Sequence, residues 1–341
     1  TYSAPPEEMV ATMMYRPPTI GLPTLPLLLL IIQLFLGSGC GSPNPVTETG
    51  DGRLHIAVSI LPQEEFVRRI AGELVEVTVL IPPGASPATY EPRPQQIRGL
   101  AGCDLYFTVG VPFEDAWLER IQSANPQMRL VDSTAGIQHR VMSAHHHHEG
   151  DDHAHTAEKE VAEHPDPHVW LAPRLVRVQA ENIARALSEL SPEQAPQFQV
   201  GLNLFLEELD RLDARLHSIL DPVPQRKFMV FHPAWGYFAD DYGLEMIPVE
   251  VGGQEPSGAE LATFVDIARE EGLKVILAQP EFSTRAVDTL AKEIGGRVLL
   301  ASPLGQPWAD SLVQLAEALA QSVAPGAQQP ENAESEGPVD E

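Results

Sequence analysis

Two histidines stand in surroundings that suit metal coordination. His168 lies in Asp166-Pro167-His168-Val169-Trp170, and His232 lies in Phe231-His232-Pro233-Ala234-Trp235. Neutral imidazole is a common ligand of divalent transition metals and suits zinc well. Asp166 has two readings. It can orient the His168 ring through a hydrogen bond, as outer carboxylates often do, or it can shape the turn before Pro167. Glu281, in Gln279-Pro280-Glu281-Phe282-Ser283, places a carboxylate after an apolar run. Between 145 and 164, seven histidines alternate with Glu and Asp. That composition cannot bury a core, so disorder is expected there. The segment should collect divalent metals through neutral imidazoles, more weakly as pH falls through about 6.5.

Short β-rich runs must hold these residues. Strands are expected at 54–60, 75–81, 104–109, 128–131, 227–231, 244–249, 274–278 and 297–300. Helical patterns fall near 62–72, 94–102, 113–124, 173–190, 192–220, 234–242, 257–272, 283–294 and 307–323. The alternation predicts an α/β chain of two lobes, each with a four-stranded sheet, separated by a helical pair. In the second helix of that pair, Phe198, Leu202, Phe205, Leu209, Leu212, Leu216 and Ile219 form one apolar seam. About 28 residues at ~1.5 Å each span roughly 42 Å. Such a helix can pack on one lobe or serve as a strut touching both. Sheets of this kind bind ligands at the carboxyl ends of their strands. His232 and Glu281 follow expected strands.

Composition removes several function classes. The chain has 341 residues and a formal net charge of -26, so no basic surface is available for nucleic acid. Two cysteines, Cys40 and Cys103, exclude a disulfide scaffold and a Cys-rich zinc module. Cys103 reads as a core residue. His-Glu-x-x-His, Gly-x-Ser-x-Gly and P-loop signatures are absent from the sequence, and no enzyme is expected. Residues 1–40 read as an export signal. The apolar run 25–36 is too short to span a membrane. Gly37, Ser38 and Gly39 precede Cys40 in the manner of a lipobox, although Leu36 lies four residues before the cysteine rather than three. A lipid on Cys40 or an ordinary cleavable signal both place the mature chain outside the cytoplasm.

The segments around 82–92, His168 and His232, with Gly253-Gln254-Glu255-Pro256-Ser257 and Gln279-Pro280-Glu281-Phe282-Ser283, occur in an order that resembles one family. It is the metal-binding lipoproteins of bacterial ABC importers for zinc and manganese, and the likeness runs from about 54 to 323. The resemblance implies two (β/α)4 lobes joined by a long rigid helix, with one metal ion between them. It implies that His168 is the second metal ligand and His232 the third. Histidine at the latter position is similar to the zinc members and favours Zn2+ over Mn2+. The chain departs from the family at two positions. Ala88 stands where the first ligand histidine is expected, and Ser302 where an Asp is expected. Glu281, Glu91 on the loop of Ala88, and a histidine of the acidic segment such as His164 are the candidate replacements. Glu281 is taken as the third protein ligand.

The expected organisation is a signal peptide with Cys40 over 1–40, a tether over 41–52, and an N-terminal lobe over 53–172 that includes the His-rich loop 139–166. A helical connector covers 173–222, a C-terminal lobe 223–324 and an acidic disordered tail 325–341. The expected function is the extracytoplasmic solute-binding component of a metal ABC importer. As a monomer, periplasmic or at the cell surface, it would pass Zn2+ to the membrane permease. An adhesin-like or metal-buffering lipoprotein with a degenerate central site is the alternative.

Overall fold

The computed structural model describes residues 52–142, 165–251 and 254–321. The expectations for the signal segment, Cys40, residues 41–51 of the tether, His164, Gly253 and the tail lie outside the described residues. So does most of the His-rich loop.

Two parallel sheets form, with the same strand order. In the first half, β1 (Leu54–Val58), β2 (Val75–Val79), β3 (Leu105–Thr108) and β4 (Arg129–Asp132) lie in the order β2-β1-β3-β4. In the second, β5 (Lys227–Val230), β6 (Glu245–Pro248), β7 (Val275–Ala278) and β8 (Arg297–Leu300) lie in the order β6-β5-β7-β8. The central strand β7 is Val-Ile-Leu-Ala and is buried throughout, as parallel strands covered on both faces are. In each sheet the order reverses beside the first strand. That leaves a crevice at the carboxyl ends of β1 and β3, and another at those of β5 and β7.

The helices of the first half are α1 (Leu61–Ala71), α2 (Pro94–Gly99) and α3 (Pro112–Ala124). The pair α4 (Pro173–Leu190) and α5 (Ala195–Leu220) follows, then α6 (Gly236–Asp241), α7 (Gly258–Glu270), α8 (Arg285–Ile294) and α9 (Trp308–Gln321). Helices α1 to α5 each carry a proline in the first two positions. Its missing N–H costs nothing there and its fixed φ suits the first turn. Helix α7 starts with a capping box. Ser257 Oγ accepts the Glu260 N–H, and the Glu260 carboxylate accepts the Ser257 N–H.

Helix α5 buries Phe198, Leu202, Phe205, Leu209, Leu212 and Leu216, and then Leu220. The expected seam ended at Ile219, which is only half-buried. A seam stepping strictly by four and three drifts around a helix of 3.6 residues per turn, so its last contact moves one residue on. The strut reading holds. In the first half of α5, Phe205 packs on Phe66 of α1 with centroids 5.7 Å apart. Near its end, Asp213 accepts the Tyr242 hydroxyl at 2.9 Å, just past α6. Helix α9 runs beside it, with Trp308 edge-on to Phe66 at 5.0 Å and Glu317 paired with Arg215 at 3.1 Å.

Strand alternation divides the interior. Phe228 and Val230 of β5 point into one large core with the first sheet, α4, α5 and α9. Met229 and Phe231 point into a second core beneath α7 and α8, with Phe264, Ile276 and Leu290.

Candidate metal centre

His168 and His232 come together between the two sheets, with ring centroids 5.3 Å apart and planes at 68°. His232 follows β5 directly, at the crevice of the second sheet. His168 does not follow a strand. It sits in the turn that leads through Val169–Leu171 into α4, and it is buried.

Each imidazole is held by a carboxylate at the same atom. His168 Nδ1 lies 2.7 Å from Asp166 Oδ1, and His232 Nδ1 lies 2.9 Å from Glu250 Oε1. An ionised carboxylate accepts only, so each ring carries its proton on Nδ1. That leaves the Nε2 lone pair for a ligand. Asp166 Oδ1 also accepts the His168 backbone N–H at 3.0 Å. Its two sequence readings are therefore both true. Burial lowers the pKa of His168, against the opposing pull of Asp166. The neutral, metal-ready ring is thus favoured.

Further contacts steady the pair. Gln279, just past β7, accepts the His232 N–H at 3.2 Å and donates to the His232 carbonyl at 2.8 Å. Phe282 stacks on His232 with centroids 5.2 Å apart, and Trp170 packs beside His168 at 5.1 Å. Trp170 Nε1 donates to the Pro303 carbonyl at 2.8 Å.

The remaining expected positions fall as follows. Glu281 and Ser302, after β7 and β8, touch: Ser302 Oγ donates to Glu281 Oε1. Glu281 Oε2 is buried without a hydrogen-bond partner among the described residues. A carboxylate thus stands directly against the serine at the position where an Asp was expected. Ala88 and Glu91 are both exposed on the loop after β2, where Ser86 Oγ accepts the Ala88 N–H at 3.3 Å. Among the described residues, no three of His, Cys, Asp and Glu are grouped to hold a metal ion. The structure brings His168 and His232 together and does not add Glu281 or Glu91 to them as a ready cluster.

Sequence reasoning overlooked Glu250, gave Gln279 no role within its motif, and took Tyr237 only as core or cleft wall, where it is buried. The signal for the first two was their place just past β6 and β7, where ligand-facing residues gather. Tyr237 carried no comparable signal.

Comparison with known proteins identifies a family. The family model described as "Zinc-uptake complex component A periplasmic" matches residues 56–325. The zinc-binding protein AdcA of Streptococcus pyogenes serotype M3 is 30% identical over 267 residues, covering 74% of this chain and 51% of AdcA. The chain thus spans about half the length of that relative. A crystal structure of ZnuA is 42% identical with a TM-score of 0.73, covering 80% of this chain and 100% of the other. A ZnuA deletion mutant with zinc bound is also 42% identical, with a TM-score of 0.72 and coverage of 82% and 100%.

Proposed function

This chain belongs to the ZnuA family of periplasmic zinc-uptake components, and from that premise we propose that it captures Zn2+ between its two lobes and delivers it to the permease of an ABC importer. The observation that carries the reading is the His168–His232 pair, 5.3 Å between centroids, with each Nδ1 on a carboxylate and each Nε2 left for a metal. Two neutral imidazoles favour zinc over manganese, which prefers oxygen ligands. Zinc takes three or four protein ligands in a stable site. Glu281 is the proposed third, through its unpartnered Oε2, and water completes the shell. Zinc is cargo in this reading, so no catalysis is assigned. The protein acts outside the cytoplasm as a monomer anchored by a lipid on Cys40. No helix among the described residues is long and apolar enough to cross a membrane.

The alanine at 88 and the serine at 302 favour a second reading, in which the centre is degenerate and the chain buffers metal through its His-rich segment. Zinc titration against a strong chelator, with residues 145–164 deleted, separates the two. Transport predicts one tightly held zinc per chain, lost in the His168→Ala, His232→Ala double variant. Tight binding that survives the double variant sinks the ligand assignment. No tight zinc after the deletion sinks the central site itself.

A further inference from the structure

We infer that Tyr237 is a positioning residue that clamps the two lobes together at the metal centre and sets the separation of His168 and His232. The inference rests on the proposed zinc reading. Tyr237 is buried, lies in the first turn of α6 and is five residues past His232. Its hydroxyl donates to the Asp166 carbonyl at 2.9 Å and accepts the Arg140 N–H at 2.8 Å. These two partners come from segments separated by the His-rich stretch, and they are joined to each other. The Asp166 N–H donates to the Arg140 carbonyl at 2.8 Å, and Val141 bridges Pro165 in antiparallel fashion. One phenol therefore pins both strands of this neck to the helix that carries on from His232. Asp166 is also the residue whose carboxylate holds His168 Nδ1. The path from one imidazole to the other thus runs through α6, the Tyr237 hydroxyl and Asp166.

Three further contacts show how closely the neck is seated. The Arg140 guanidinium lies over the Tyr237 ring at 5.7 Å and pairs with Asp240 at 3.1 Å. His139 Nδ1 lies 3.1 Å from the same Asp166 carbonyl. Gly236 brings the helix start close to the neck: a Cβ there would stand 2.1 Å from Arg140 Nη1 and 3.2 Å from Asp166 Oδ2, so the guanidinium would have to move aside. Replacing this hydroxyl by a phenyl ring takes the acceptor from the Arg140 N–H and leaves the Asp166 carbonyl with His139 Nδ1 alone. Burial also pushes the ionisation of Tyr237 upward, which keeps its proton for the Asp166 carbonyl.

The test is Tyr237→Phe in the full chain, read by chelator competition at the tight zinc site and by the visible spectrum of bound Co2+. The matched control is Tyr242→Phe, which removes another buried hydroxyl bond, that to Asp213 on α5. Tyr237→Phe is expected to weaken zinc roughly 10- to 100-fold, the range seen when outer-sphere support of a ligand is lost. It should also alter the Co2+ spectrum, while Tyr242→Phe changes neither. Wild-type affinity and spectrum in Tyr237→Phe, or equal losses in both variants, would overturn the clamp. Should Tyr237→Phe fail to fold, amide exchange in the wild-type chain gives the second reading: a slowly exchanging Arg140 N–H supports the clamp, and exchange as fast as that of an open loop overturns it. If the His168→Ala, His232→Ala double variant retains tight zinc, the metal assignment fails. If that double variant loses zinc while Tyr237→Phe keeps it, the clamp alone fails.

Discussion

The crevices of the two sheets have the same strand geometry and different contents. After β5, the second crevice presents His232, braced by Gln279 and Glu250. After β1, the first presents Ser59, whose hydroxyl meets Tyr106 at 2.7 Å and donates to Glu114. Gln63 accepts the Ser59 N–H at 3.1 Å and donates to the Phe107 carbonyl at 3.1 Å. Both crevices are thus stitched by a glutamine, yet one presents an imidazole and the other is sealed. The first half supplies its imidazole instead from His168, in the turn before α4. The lesson is that a shared sheet order fixes where a ligand can be placed. The side chain that follows the strand decides whether the place is used.

The comparison can be broken most forcefully through the cores. Phe205→Ala strikes the core that joins both halves, and Phe264→Ala strikes the one beneath α7 and α8. Each should cost about 3–5 kcal/mol in chemical denaturation. The first should lower all probes together. The second should loosen the outer layer of the second sheet first, seen as earlier amide exchange there.

The two imidazoles come next. His168→Ala and His232→Ala should each weaken zinc by about 100-fold or more, above the cost of losing an outer partner. Chelator competition measures this, and an unchanged affinity in either variant removes that residue from the site. Their carboxylates give a smaller contrast. Asp166→Asn and Glu250→Gln should each cost roughly 10- to 100-fold. The larger loss is expected for Asp166, whose Oδ1 also accepts the His168 backbone N–H. Equal losses would mean that the contact of the Asp166 carboxylate with the His168 backbone N–H contributes nothing to the site.

The sealed crevice makes the mildest prediction. Burial raises the Glu114 carboxyl from 4.5 to about 7, partly offset by hydrogen bonds from Ser59, Gly110 and Val109. Between those values the folded chain holds a proton that the unfolded chain has released. Stability from this group is therefore full at low pH and is lost as pH rises through about 7. Spread over that range of pH, the effect is at most about 3 kcal/mol. Glu114→Gln should flatten the fall in melting temperature between pH 5 and pH 8. A variant that tracks the wild type would show that Glu114 is already ionised throughout.

Much of the fold was legible because its causes are local. All eight strands appear where β-rich runs end at turn residues, and the first closes at Val58 because the Ser59 N–H is taken by Gln63. The helix expected over 94–102 is shorter: α2 ends at Gly99 and a tighter turn covers Leu100–Gly102, where two glycines weaken the α-helix. Cys103 is buried as expected, and burial pushes its thiol up to about 11. The candidate site was half legible. His168 and His232 stand out by their neighbours in sequence. Glu250, Gln279 and Tyr237 do not, since each acts on residues 18 to 97 positions away.

Sequence by itself determined the alternation of strands and helices, the α5 seam and the two imidazoles, because periodicity and short motifs act within a few residues of themselves. Tertiary structure alone decided that the imidazoles meet at 5.3 Å, that Glu281 falls against Ser302, and that Tyr237 ties Arg140 and Asp166 to α6. Those contacts join the carboxyl ends of different strands and two separate sheets. Their distances depend on how α5 and α9 pack against both halves, a sum of many buried contacts that no local pattern encodes.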